Sequence, residues 1–339
     1  MWGSCCLVIP QFMGGCLVNT IVIDGNNLAY RCNSVTELTT KDGRRTSAIY
    51  GVLNSIPNDI KNVEKLLGEP IHECVVVWDY GKNKRRLNLY PEYKGTRKHD
   101  ATEEDKLWYE DFITQTNILH ESLSLFGIKS LKVKGQECDD LIYSFISLAR
   151  KHRDDEENHF VIISTDEDFF QLISSDVSVY SPIKQIYYTH NNFLELFGVL
   201  PEYFLGYKIL KGDTSDNIIG IRGIGEKTGK SLVNTYGGLQ GILDPRNREN
   251  LMKSKVTSKI FTPEGLQTLD RNNQLIGLEE FVDVDETKQE VEEILFETPD
   301  IHTKGILNFL REYQLSSLLS KYTEYIEVFK QLLENYCSE

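Results

Sequence analysis

The sequence predicts an α/β fold, a largely parallel sheet flanked by helices and followed by a C-terminal helical module. Three observations predict it. Short β-branched runs alternate with amphipathic segments over the first 190 residues, the pattern of strands joined by helical crossovers. The β-rich runs fade beyond residue 191, and segments 201–210, 226–236 and 300–325 read as helices. With 339 residues, 40% hydrophobic and 26% charged, the chain is long enough to bury one large core or two modest ones.

Residues 2–22 form an apolar opening broken by Pro10, Gly14 and Gly15, so no membrane-spanning helix is expected there. No Lys or Arg precedes it, and residues 17–23 read as the first buried strand rather than as part of a signal peptide. Further strands fall at 74–78, 128–133 and 160–164, with an edge hairpin around 177–180 and 185–189. Thr102-Glu103-Glu104-Asp105 resembles a capping box, and Trp108, Phe112, Leu119, Leu123 and Phe126 follow at helical spacing as a core stripe. Leu141, Phe145 and Leu148 give the helix after Asp140 a buried face. The acidic stretches 152–158 and 283–293 read as exposed surface. Seven cysteines are an odd number without a C-x-x-C pair, which argues against a disulfide framework and a zinc site; a reducing cytoplasm fits best.

Acidic side chains recur where strands end. Residues 21–23 run into Asp24, 75–78 into Asp79, and 161–165 into Asp166. Loops beyond the carboxyl ends of parallel strands hold ligands, because the strands fix them while their sequence is free to vary. Glu137, Asp139 and Asp140 follow the third strand, Asp168 follows Asp166, and Asp213 and Asp216 stand three apart. A helix starting near Cys138 would put Glu137 and Asp140 on one face, close enough to share a cation. Helix capping needs one or two acids, not three. Nine converging carboxylates would repel one another without cations, and an all-oxygen set selects Mg2+ or Mn2+ over zinc. Two such ions about 4 Å apart can activate water and stabilise the leaving oxygen of a phosphodiester.

The net charge of −14 at first opposes a nucleic-acid function. Its distribution does not. Between residues 82 and 98, seven Lys or Arg, Arg85 and Arg86 among them, stand against the single acid Glu92; a solvated loop is the alternative. Lys94 and Arg97 are placed to stabilise charge on a scissile phosphate, and Tyr93 to stack on a base or pack against the sheet. The segment Gly220-Ile221-Arg222-Gly223-Ile224-Gly225-Glu226-Lys227-Thr228-Gly229-Lys230-Ser231 misses the spacing of a nucleotide-binding loop by one residue. Its glycines instead suit a tight turn between helices whose backbone N–H groups approach a phosphate chain, with Gly223, Gly225, Lys227, Thr228 and Lys230 as the contacts.

At this point the motifs resemble the flap endonuclease and 5′-3′ exonuclease family, closest to free-standing bacteriophage 5′ nucleases and the 5′ nuclease domain of bacterial DNA polymerase I. Ile23-Asp24-Gly25-Asn26-Asn27, Leu89-Tyr90-Pro91-Glu92-Tyr93-Lys94-Gly95-Thr96-Arg97, Glu137-Cys138-Asp139-Asp140, Ser164-Thr165-Asp166-Glu167-Asp168, Gly212-Asp213-Thr214-Ser215-Asp216-Asn217 and the glycine turn carry the likeness in the family's order. It covers about residues 20–285, where Asp270-Arg271-Asn272 still fits. The resemblance implies a PIN-like nuclease domain over 18–190 with a helical arch at about 92–125, and a helix-three-turn-helix module over 191–290, often with a bound K+. It leaves 1–17 as an extension of unknown role and 291–339 as a helical tail. It further implies Mg2+-dependent cutting of branched or 5′-ended duplex DNA and of RNA–DNA hybrids, with Lys94 and Arg97 as phosphate-steering cations and all nine carboxylates as metal ligands. A monomer acting away from membranes, free-standing in replication or repair, is expected.

Residues 98–119 hold only Lys98 and Lys106 as strong bases, so the arch is poor in positive charge. A PIN-type ribonuclease would share the strand-end aspartates but not need the glycine turn. A catalytically silent DNA-binding scaffold would have lost a ligand position, and none is missing.

Overall fold

Ile21 and Ile23 point to one side of the first strand and Val22 to the other, and the structure buries both sides. The computed structural model describes residues 17–35, 37–81, 83–95, 102–153, 158–278 and 285–338. Strands β1 (Val18–Asp24), β2 (Glu73–Trp78), β3 (Lys129–Lys132), β4 (Asn158–Ile163) and β5 (Val177–Ser181) are parallel, and β6 (Ile186–Tyr188) pairs antiparallel with β5. Helices α1 (Gly25–Val35), α2 (Ser47–Leu67), α3 (Lys84–Leu89), α4 (Glu103–Ser122) and α5 (Cys138–His152) connect them. Ile21, Ile23, Val76, Trp78, Val161 and Ile163 share a core with α1, α2 and α4. Val22, Val75, Val77, Phe160 and Ile162 share the other with Leu141 and Phe145 of α5. A strand buried on both faces needs apolar residues throughout, which is why β1 reads as a run instead of an alternation.

The sheet order is β3-β2-β1-β4-β5-β6. Chain direction across the sheet therefore reverses at β1, with β2 on one side and β4 on the other, and a crevice opens beyond their carboxyl ends. Asp24, Asp79 and Asp166 end or follow these three strands.

The C-terminal module contains α6 (Phe193–Phe197), α7 (Pro201–Lys211), α8 (Glu226–Tyr236), α9 (Gly238–Leu243), α10 (Pro245–Met252), α11 (Pro263–Ile276) and α12 (Asp285–Leu295). A two-stranded hairpin, β7 (Gly212–Asp213) with β8 (Ile218–Ile219), sits where only helices were expected; strands of two residues leave no periodicity to read. The helix expected over 300–325 is also corrected. Gln314 adopts φ 52°, and the segment divides into α13 (Thr303–Glu312), α14 (Ser316–Ser320) and the start of α15 (Tyr322–Cys337). These helices return to the sheet domain, where Phe309, Tyr325 and Phe329 meet Phe126 edge-on and the Tyr325 hydroxyl donates to the Leu53 carbonyl at 3.0 Å.

The expected capping box is present, with Thr102 and Asp105 capping α4 reciprocally, and Phe112, Leu119, Leu123 and Phe126 are core residues as expected. Among the described residues no helix is long and apolar enough to cross a membrane.

Candidate active site

Asp24 is the last residue of β1 and is almost wholly buried. Its Oδ1 accepts the Asn27 N–H at 3.0 Å and its Oδ2 the Ser164 hydroxyl at 2.9 Å. Asp79 follows β2; its own N–H donates to Asn26 Oδ1 at 2.9 Å and its Oδ1 accepts the Cys138 N–H at 2.7 Å, at the positive end of α5. Asp166 caps the short helical turn after β4 by accepting the Asp168 N–H at 2.9 Å. Asp139, on the first turn of α5, brings a carboxylate oxygen within 4.8 Å of ligand atoms of both Asp24 and Cys138.

This half of the site is short of positive charge. Burial, and then the charge of Asp79, pushes Asp24 up to about 6. Burial, and then Asp168, pushes Asp166 up to about 7. Asp139 is driven well above the carboxylate range by burial and by Asp166, a rise that Lys94 opposes. Carboxyls in that condition are what a divalent cation relieves. The oxygen donors fit a hard ion such as Mg2+, and the Cys138 sulfur, 3.6 Å from Asp24 Oδ1, is a soft donor beside them.

The other half carries its own cations. Arg86 Nη1 lies 2.5 Å from Glu137 Oε2 and 2.7 Å from Asp140 Oδ2, while Nη2 lies 2.7 Å from Asp140 Oδ1. Lys94 Nζ is 3.0 Å from Glu137 Oε1 and 3.9 Å from Asp216 Oδ2. Lys208 Nζ bridges Asp168, at 2.7 Å, and Asp213. Burial opposes the charge on Lys94 and on Lys208, yet their carboxylate neighbours hold both firmly protonated. Against its own burial, Asp213 is held down at about 2 by Lys208.

Two expected DNA contacts are corrected. Arg86 is 2% exposed, and its fork is filled by Glu137, Asp140 and the Leu275 carbonyl, so it stabilises the acidic site from within. The cation shared by Glu137 and Asp140 is thus a guanidinium. Tyr93 is 6% exposed, packs with Ile218, Leu275 and Ile276, donates its hydroxyl to Glu137 at 3.0 Å and borders the cavity beside Lys94, so it is a packing residue with little of its ring open to a base. Arg85 is exposed. Arg97 lies outside the described residues, as do Lys82, Lys98 and the N-terminal residues 1–16.

Gly223, at φ 98°, and Gly225, the residue before α8, form a turn, but it joins β8 to α8 and not two helices as expected. Lys227 is exposed and Thr228 half-buried, whereas Lys230 is tethered to Glu226 at 2.8 Å and lies over the Phe197 ring at 4.1 Å. Gly229 packs on Tyr207 so closely that a Cβ would meet the ring at 3.0 Å, which joins α8 to the helix bearing Lys208.

Sequence reading missed Lys208, Asn26, Ser164 and the sulfur of Cys138. Lys208 left one signal, a lysine inside the apolar run from Phe204 to Leu210. A cavity of about 330 Å3, lined by Asn26, Asp79, Lys94, Tyr109, Ile113 and Glu137 among others, opens beside the carboxylates and under α4.

Residues 19–198 match the model of the 5′-3′ exonuclease N-terminal resolvase-like domain, and residues 199–302 that of the 5′-3′ exonuclease C-terminal SAM fold. A 5′-3′ exonuclease of Aquifex aeolicus is 29% identical over 311 residues, covering 91% of this chain and 96% of that protein. The thermostable DNA polymerase I of Thermus aquaticus is 32% identical over 242 residues, 71% of this chain and 26% of the polymerase. The chain thus spans about a quarter of that relative's length. The structure of the bacteriophage T5 flap endonuclease with DNA and metal ions aligns with a TM-score of 0.64 at 26% identity, over 82% of this chain and 100% of that one.

Proposed function

The chain belongs to the 5′-3′ exonuclease family, and from that premise we propose that it is a Mg2+-dependent, structure-specific 5′ nuclease hydrolysing phosphodiesters of flap and 5′-ended duplex DNA, RNA–DNA hybrids included. The observation that carries this reading is the division of the nine carboxylates. Asp24, Asp139 and Asp166 are pushed up by burial and by neighbouring carboxylates, Asp79 among them, while Glu137, Asp140, Asp168, Asp213 and Asp216 face Arg86, Lys94 and Lys208, and Arg86 opposes the burial that raises Asp140.

Asp24, Asp79, Asp139 and Asp166 would hold the ions, Mg2+ or Mn2+, with the other five behind them acting through water. Bound divalent ions supply an activated water and neutralise the leaving oxygen. Lys94, protonated and one quarter exposed, faces the cavity beside Glu137, where a scissile phosphate would meet its ammonium; Arg97, three residues on, is its proposed partner. The turn at Gly223 and Gly225, with Lys227 and Thr228 at the start of α8, suits a duplex phosphate chain read without base contacts, and K+ is proposed to bind there. The protein is proposed to work as a monomer in the cytoplasm, in replication or repair.

Cleavage of a 5′-labelled flap, a nicked duplex, a 3′ flap and single-stranded RNA, in Mg2+, Mn2+ or chelator, tests the proposal. Metal-dependent cutting near the 5′ junction that spares the 3′ flap is expected. Binding without cutting in every metal would overturn it in favour of a silent scaffold, and activity on single-stranded RNA alone in favour of a ribonuclease.

A further inference from the structure

Arg271 and Asn272, on α11, touch none of the nine carboxylates in the described contacts, yet they meet every segment that carries the site's lysines. Asn272 is fully buried. Its Nδ2 donates to the carbonyls of Ile209, beside Lys208 at the end of α7, and Ile219, on β8, both at 3.0 Å. Its Oδ1 accepts from Arg271 Nε at 3.2 Å and Nη2 at 2.9 Å. The amide therefore has its two protons and both lone pairs employed, which fixes its orientation. Arg271 Nη2 also donates to the Ile219 carbonyl at 2.7 Å, and the guanidinium lies 4.9 Å over the Tyr90 ring.

From Ile219 and Tyr90 the contacts converge on Lys94. The turn joining β7 to β8 bonds to the Lys94 segment twice: Lys94 N–H donates to the Asp216 carbonyl at 2.9 Å, and Asn217 Nδ2 donates to the Glu92 carbonyl at 2.9 Å. Tyr93 N–H donates to the Tyr90 carbonyl at 2.9 Å. Lys94 and Asn217 adopt φ of 53° and 59°, a left-handed geometry that non-glycine residues keep only when their surroundings impose it. A pair of side chains that holds the hairpin by Ile219 and the segment by Tyr90 is placed to impose it.

We propose that Arg271 and Asn272 are positioning residues that latch the C-terminal module to the segment from Tyr90 to Lys94, so that the module sets where the Lys94 ammonium stands relative to the carboxylates. The consequence for cleavage rests on the nuclease reading; the consequence for the Lys94 backbone does not. Loss of the latch leaves DNA binding intact and slows the chemical step, since Lys94 drifts from its place while the glycine turn is untouched.

Arg271→Met, which keeps the stem and removes the fork, is tested beside Tyr90→Leu, the double variant, and Arg271→Lys. Amide hydrogen exchange at Lys94 is read without substrate. It should quicken at least tenfold in Arg271→Met with global unfolding unchanged, and recover in part in Arg271→Lys. Single-turnover cleavage of a 5′ flap should fall at least tenfold, with Kd for the same DNA in Ca2+ within twofold, and the double variant should be no slower than the worse single. Unchanged exchange at Lys94 would overturn the latch whatever the enzyme does. Quickened exchange in a protein whose wild type never cleaves would uphold the latch and overturn the nuclease reading. Additive losses in the double variant, or equal losses of binding and rate, would also overturn it.

Discussion

Lys94 and Arg86 stand eight residues apart in one basic stretch, and the fold gives them opposite tasks. Lys94 keeps a quarter of its side chain exposed beside the cavity, whereas Arg86 is sealed between Glu137 and Asp140. Replacing Lys94 with Ala removes the ammonium from the place where charge develops, so cleavage should fall by about 10²–10³ while affinity in Ca2+ stays within about twofold. Parallel loss of both in a titration and a single-turnover assay would deny Lys94 that role. Arg86→Met removes one partner of a buried ionic cluster, leaving Asp140 without its cation and Glu137 with Lys94 alone. Urea unfolding should show a loss of about 3–5 kcal/mol, and a loss under about 1 kcal/mol would mean that the pair is screened as a surface pair is. From sequence, Lys94 reads as a cation at the scissile phosphate and Arg86 as a DNA contact within the same basic stretch. Burial separates them, and burial of Arg86 depends on Leu275 and Asp140, far along the chain.

At the scale of elements, the sheet carries charge at both ends and uses it differently. At the amino ends of β2 and β3, Glu73 is fully buried and lies 2.6 Å from Lys129 and 3.2 Å from Arg153. Its burial alone would raise its pKa; Lys129 and then Arg153 reverse that and hold it down at about 2, against an ordinary 4.5. A folded pKa below the unfolded one contributes stability that is complete above the unfolded value and lost as pH falls through the folded one. The contribution is of order 3 kcal/mol. Urea midpoints should therefore decline from pH 5 to pH 2, and Glu73→Gln should lower the midpoint at pH 7 and flatten that decline. A decline of equal slope in the variant would assign the acid sensitivity elsewhere. The strands themselves were legible to within one or two residues, the central ones because both of their faces had to be apolar. The hairpin β7–β8 was not, since its strands have two residues each and the side chains that hold Ile219, Arg271 and Asn272, come about 50 residues later.

Over the whole molecule, the sequence disclosed which carboxylates lie at strand ends and helix starts, because those places follow from local pattern and from the rule for parallel sheets. It did not disclose how they divide. Lys208 meets Asp168 from 40 residues away and Arg86 meets Glu137 from 51, so the pairing is a property of tertiary packing, between the two domains for Lys208 and within the first for Arg86. The division makes a prediction for the protein without DNA. Three carboxyls of the first half are raised by burial and mutual repulsion, a cost that a divalent ion removes only in the folded chain, where the ligands are together. A ligand bound by the folded state alone stabilises it by about 2.7 kcal/mol at roughly 100 times its Kd, which for a chain of this size raises Tm by roughly 5 °C. Thermal unfolding in EDTA and in saturating Mg2+ should differ by that much. Asp24→Asn should abolish most of the difference, and Glu324→Gln, an exposed change on α15, should leave it whole. An equal Mg2+ shift in all three proteins would mean that the ion acts on the acidic surface at large and that the strand-end carboxylates are not its site.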